Sequence, residues 1–282
     1  MVNTVANALR QHYDALAPAE RRVARVLLSK YPINGLETIA QLAKKSSASG
    51  PTVLRLVNKL GFESYSAFQE ALRTELDAQL QSPVLRRDPN LTVAEHGFAQ
   101  SYIHNLQDLL QQTANSLIEA DFETAVSWLS NPKHRLWLLG GYITGSLAEY
   151  LCHHLQTIRP NVSLLRPIPR TWVEYVSEMG KNDVLIVFDI RRYWSELQIL
   201  AQLAREQKCR IILVTDQWIS PVSSYADLIF TAYTESKAGW DSTVSIMMLI
   251  DTLIANINNQ DWEKTKDRLH QLEALRAKFK LD

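Results

Sequence analysis

Two apolar runs constrain this chain more than any other feature: DVLIVFDI at 183–190 and RIILVTD at 210–216. Each is too continuous for a strand with one wet face. Both read as strands covered on both sides, the situation of a parallel sheet. Between them SELQILAQLAREQ has helical periodicity. The alternation extends in both directions. Upstream come a strand ending in a Gly turn (RLWLLGG), a helix (TGSLAEYLCHHLQ), a strand (NVSLLRP) and a helix (TWVEYVSEM). Downstream come a short helix (SPVSSYA), a last strand (LIFTAY) and a long helix (STVSIMMLIDTLIANI). Strands alternating with helices imply right-handed crossovers and a mainly parallel, doubly wound sheet. Ligands of such sheets bind at the carboxyl ends of the strands.

The first 80 residues follow a different rule. After two short helical stretches, LETIAQLAKKSSASGPTVLRLVNKLGF (36–62) reads as two helices joined by a tight turn. Ile39, Leu42 and Ala43 form the buried face of the first. Ser49 is placed to cap the second, and Pro51 is tolerated in its first turn. Val53, Leu56, Val57 and Leu60 line its inner face. At 100° per residue, Thr52, Arg55, Asn58 and Lys59 fall on the other side, and Gly61 ends the helix. A helix pair with one apolar and one cationic face suits the major groove of DNA.

The charge agrees with that reading. No acidic residue lies between Glu37 and Glu63, whereas Lys44, Lys45, Arg55 and Lys59 do. Residues 1–80 hold 10 Lys+Arg against 7 Asp+Glu, and the other 202 hold 20 against 23. A neutral chain therefore divides into a basic head and a slightly acidic body. Phosphate contacts from such a head give salt-dependent affinity. The bland alternative is a solvated face on a helical hairpin.

Length and composition set the frame. A chain of 282 residues suggests two domains, and 46% hydrophobic content is enough for real cores. The boundaries expected are a helical head at 1–80, a linker at 81–94 carrying Pro83 and Pro89, a body at 95–260, and a charged amphipathic helix at 261–282. The body is expected to open with one long helical stretch, HGFAQSYIHNLQDLLQQTANSLIEADFETAVSWLS. Trp262, Leu269, Leu272 and Phe279 form a possible docking stripe on the last helix. There is no apolar run long enough to span a bilayer, no signal-peptide layout, and only Cys152 and Cys209, so a cytoplasmic protein without disulfides or a membrane partner is expected.

The head, LETIAQLAKKSSASGPTVLRLVNKLGF with AERRVARVLLSKYP before it, resembles the N-terminal domain of RpiR/MurR-type bacterial transcription regulators. The body resembles the sugar isomerase (SIS) domain that follows in that family. The resemblance implies an all-α helix-turn-helix domain followed by a doubly wound α/β body. It further implies operator DNA bound by a homodimer or homotetramer, and a sensor for a phosphorylated sugar or related small-molecule effector. DNA contacts then fall to Lys44, Lys45, Ser49, Thr52, Arg55, Asn58 and Lys59. The family's first ligand loop, Gly-x-Gly-x-Ser, corresponds to Gly140-Gly141-Tyr142-Ile143-Thr144, with Gly145 next. Its second, the hydroxyl-rich Ser-x-Ser-Gly-x-Thr, corresponds to Asp189-Ile190-Arg191-Arg192-Tyr193-Trp194, where none of the three hydroxyls survives.

That departure bears on the ligand. Hydroxyls and amides cradle a phosphate, whereas the Asp189 carboxylate repels one. Arg191 and Arg192 can meet a carboxylate or phosphate with paired hydrogen bonds. Ser242, before the long helix, completes the candidate ligand set. Two readings stay open: a pocket for an anionic metabolite other than a sugar phosphate, or arginines that make structural salt bridges around a vestigial pocket. No catalytic residue, cofactor or metal is expected. Cys152-His153-His154 are consecutive on a helix, point about 100° apart and cannot chelate together. An SIS-type sugar-phosphate isomerase with an accessory head is the competing class, and a protein-interaction module a weaker third.

Overall fold

The computed structural model describes residues 4–29, 31–80, 83–86 and 97–279. The head packs helices α1 (Val5–Gln11), α2 (Pro18–Ser29), α3 (Ile39–Lys45), α4 (Gly50–Lys59) and α5 (Tyr65–Leu80). Its core gathers Leu9, Val23, Leu27, Leu42, Val53, Leu56, Val57, Phe68 and Leu72, the positions the 3.6-residue period selects. Thr38 opens α3 with a capping box: its side chain accepts the Gln41 N–H while the Gln41 side chain accepts the Thr38 N–H.

Pro83–Arg86 forms one helical turn, α6. The rest of the expected linker, 81–82 and 87–94, lies outside the described residues, as do 95–96 and 280–282. The long opening helix of the body is in fact two, α7 (Phe98–Ser116) and α8 (Glu119–Ser130). Leu117 and Ile118 between them adopt extended backbone, which turns the chain so that Phe122, Ala125, Val126 and Leu129 reach the core.

Five strands follow: β1 (Arg135–Gly140), β2 (Val162–Leu164), β3 (Asp183–Asp189), β4 (Arg210–Asp216) and β5 (Leu228–Ala232). All pairings are parallel, in the order β2-β1-β3-β4-β5. The helices are α9 (Gly145–Ile158), α10 (Trp172–Glu178), α11 (Ser195–Glu206), α12 (Val244–Gln260) and α13 (Trp262–Phe279). Alternate residues of each strand point to opposite faces. Leu136, Leu138, Ile186 and Phe188 pack under α8, α9 and α12. Trp137, Leu139, Leu185 and Val187 pack under α10 and α11. The short helix expected at SPVSSYA is a single 3-10 turn, Pro221–Ser224, and α2 of the head packs against that turn. On α13, Trp262 and Phe279 are exposed, while Arg268 reaches the Gln156 carbonyl with two hydrogen bonds of 3.0 and 2.8 Å.

Candidate functional site

Strand order reverses direction between β1 and β3. That is the switch point at which a doubly wound sheet opens a crevice beyond its carboxyl ends. Gly140 pairs with Phe188 there. A Cβ on Gly140 would stand 2.4 Å from the Thr144 carbonyl oxygen and 2.6 Å from the Gly145 nitrogen, so this glycine lets α9 begin against the strand. Thr144 is buried. Its hydroxyl donates to the Phe188 carbonyl (2.7 Å) and accepts the Gly141 N–H (2.8 Å). Gly145 donates its N–H to Gly141 (2.8 Å), and Ser242 spends its hydroxyl on the Val244 N–H (3.3 Å). The first loop and Ser242 thus hold the entries to α9 and α12.

The second loop is organised by two buried carboxyls. Asp189 accepts the Ser220 hydroxyl and, at 3.4 Å, the Trp194 N–H. Burial pushes its pKa up to about 7 against the lowering effect of those bonds, so near neutrality a large share carries a proton and the repulsion expected of it is weakened. Asp216, at the end of β4, accepts the Tyr193 hydroxyl (2.6 Å), the Arg191 N–H (2.6 Å) and the Trp218 N–H (3.2 Å). Burial raises it to about 6, against the same kind of hydrogen bonding.

These anchors separate the two arginines. Arg192 has a positive φ of 62° and faces solvent. Arg191 turns inward: its side chain is 3% exposed, stacks 3.7 Å over the Trp218 ring, and lies 3.2 Å from Asp241 and 3.5 Å from Glu235. Desolvation lowers its pKa, and Asp241 opposes that most strongly. Arg86 of α6 reaches the same carboxylate, donating 2.9 and 3.3 Å bonds to the two oxygens of Asp241. Sequence reasoning missed Asp216, Trp218 and Arg86. TDQW at the end of a buried strand was an available signal for the first two; nothing in the aperiodic linker marked Arg86. A cavity of about 280 Å³ lies at the opposite, amino edge of the sheet, lined by Arg159, Lys264 and Arg268 among others, and is remote from this chemistry.

In the head, α4 lays Val53, Leu56 and Val57 against the core and leaves Arg55, Asn58 and Lys59 exposed. Ser49 caps it, its hydroxyl oxygen accepting the Thr52 N–H at 3.4 Å. Thr52, projected outward by the 100° rule, is only 4% exposed. Its hydroxyl is 2.9 Å from that of Ser49 and accepts from the Arg55 guanidinium at 3.2 Å. Thr52 shares the flank of Leu56, four residues on, and from there its hydroxyl braces Arg55. Lys59 pairs with Glu20 (2.7 Å) and Lys45 with Glu37 (2.5 Å), while Lys44 is exposed. Cys152 is buried and His153 and His154 exposed, and among the described residues no cluster of metal-ligating side chains occurs.

A cationic helix-turn-helix joined to a doubly wound fold with a charged carboxyl edge defines a DNA-binding regulator with a sensor domain. Residues 3–79 match the model of the helix-turn-helix domain, rpiR family, and residues 129–256 match that of the SIS domain. The chain has the helix-turn-helix–SIS architecture of the RpiR/MurR-type regulators. An uncharacterized HTH-type transcriptional regulator of Escherichia coli K12, YfhH, is 23% identical over 281 residues, covering 96% of this chain and 98% of YfhH. The sugar isomerase domain of an RpiR transcription factor from Sphaerobacter thermophilus has a TM-score of 0.57 at 21% identity, over 62% of this chain and 98% of that one. The Vibrio vulnificus NanR protein complexed with ManNAc-6P has a TM-score of 0.55 at 19% identity, over 96% and 97%. Among the described residues no helix is long and apolar enough to cross a membrane.

Proposed function

We propose that α4 reads operator DNA through Arg55, Asn58 and Lys59, with Lys44 and Lys45 on the phosphates, and that two copies present two such helices to a two-fold site. The observation that carries this reading is the division of α4 itself: Val53, Leu56 and Val57 are buried while Arg55, Asn58 and Lys59 stand exposed on one side. The Lys45–Glu37 pair is a surface pair of low net worth, readily exchanged for phosphate, whereas Lys59 is held by the buried Glu20 and reaches out from that anchor. A single helix pair covers too few bases, which favours paired half-sites about one helical turn apart. Selection from random duplexes with the full chain tests this. The expected outcome is enrichment of an inverted repeat; recovery of unselected sequence would count against it.

The body, on this reading, senses a small carboxylate-bearing molecule. NanR is complexed with ManNAc-6P. Here the loop equivalent to the family's hydroxyl nest carries Asp189 and Arg191 in place of those hydroxyls, and Thr144 is committed to the backbone. A thermal-shift comparison of small carboxylates with sugar phosphates tests the ligand class. Stabilisation by sugar phosphates alone would contradict it.

A further inference from the structure

Arg86 sits between the head and the body, yet its side chain is 3% exposed. It is buried by the body's own edge, against the residues that hold Arg191. Both oxygens of Asp241 accept from Arg86, at 2.9 and 3.3 Å, and one of them also lies 3.2 Å from Arg191. Two guanidiniums therefore converge on Asp241, with Glu235 3.5 Å from Arg191 as a second carboxylate at the rim and the Trp218 ring as a wall on the Arg191 side. The Nε of Arg86 is buried and makes no hydrogen bond, so the cluster holds one donor more than Asp241 satisfies at that arginine. A guanidinium buried this way needs an anion beside it, since an uncompensated charge is strongly disfavoured away from water. Asp241 belongs to the connection between β5 and α12, outside the sheet, and bridges antiparallel to Glu235.

We propose that Arg86 and Arg191 form a carboxylate-binding site which Asp241 fills in this structure, and that the filled site latches the linker onto the sensor edge. A planar carboxylate suits it because two parallel N–H···O bonds are the geometry already present between Arg86 and Asp241. The consequence for regulation is direct. A carboxylate arriving from solution competes with Asp241 for the arginines, and the arginine it wins from α6 alters the tether of the head. The head meets the same edge a second time where α2 packs on the Pro221–Ser224 turn, which is capped by Ser220, the residue that donates to Asp189. This inference rests on the reading of the body as a carboxylate sensor.

Limited trypsin digestion of the full chain tests the latch without DNA. Peptides ending at residue 86 are resolved by mass from those ending at 87. Cleavage after Arg86 needs its side chain free, so Asp241→Ala should speed it by about tenfold or more, as expected when a buried ion pair is broken from one side. Added acetate, compared with chloride at equal ionic strength, should return that variant toward the parental rate by occupying the vacated place. Arg86→Lys keeps the charge and a trypsin site but cannot form the paired bonds to Asp241; it too should be cleaved faster at residue 86. Parental protection in both variants would overturn the latch. Fast cleavage of Asp241→Ala that acetate leaves unchanged would overturn the carboxylate site. Because no duplex is present, failure of the DNA-binding reading would leave these results standing, and stabilisation of the body by sugar phosphates alone would be read separately by thermal shift.

Discussion

Arg55 in the head and Arg191 in the body carry the same guanidinium into opposite surroundings. Arg55 stands exposed on α4, braced by Thr52, while Arg191 is buried between Trp218 and Asp241. An exposed guanidinium keeps its hydration and waits for a partner from outside, at an energy that salt screens. A buried one must have its counter-charge built in, and removing either partner strands the other. The head is thus made to gain contacts, and the body edge to exchange them.

Perturbing each set separates the two behaviours. Arg191→Ala should produce the largest change, destabilising the body by about 3–5 kcal/mol through the broken ion pairs with Asp241 and Glu235 and the lost stacking on Trp218; chemical denaturation reads it. An unchanged midpoint would place Arg191 among the surface charges.

Next in size is a pH effect centred on Asp189 in the body. The folded chain holds the Asp189 proton up to about 7, whereas the unfolded chain releases it in the ordinary carboxylate range. Its contribution is complete below the ordinary range and is lost as pH rises through about 7, a change of about 2–4 kcal/mol. Asp189→Asn should flatten the fall in melting temperature between those limits, leaving the parts due to Asp216, Glu235 and Glu75, whose pKa values burial also raises. A parental slope in the variant would show that Asp189 is ionised in the fold.

In the head, Ser49→Ala removes the cap of α4 and should cost about 1 kcal/mol of stability. Smallest is Lys44→Ala. It should lower the slope of log affinity against log salt by about 1 and weaken all duplexes alike; a loss restricted to one sequence would make Lys44 a base reader.

Much of this was legible in the chain because period and position coincide. DVLIVFDI and RIILVTD could be little else than the middle of a parallel sheet, and β3 and β4 run within them. Ser49, Gly61 and the Val53–Leu56–Val57 stripe announce α4 with its cap. The failures are equally specific. A smooth helical period cannot show the two extended residues that split α7 from α8. Thr52 stands four residues before Leu56, about 40° away around the helix, so it flanks the buried stripe instead of opposing it, and its hydroxyl meets Ser49. Adjacent Arg191 and Arg192 read as a pair, yet the left-handed backbone at Arg192 sends them apart. Asp241 and Arg86 are 155 residues apart, and a contact of that kind leaves no local trace.

The division between the two arginine sets is tested most directly by fluorescence anisotropy of the full chain on its selected duplex, comparing parent with Arg55→Ala. A base-reading Arg55 predicts a loss of about 1–3 kcal/mol in binding, roughly tenfold or more, with no change in melting temperature. Parental affinity in Arg55→Ala would remove α4 from the groove and contradict the account of the head.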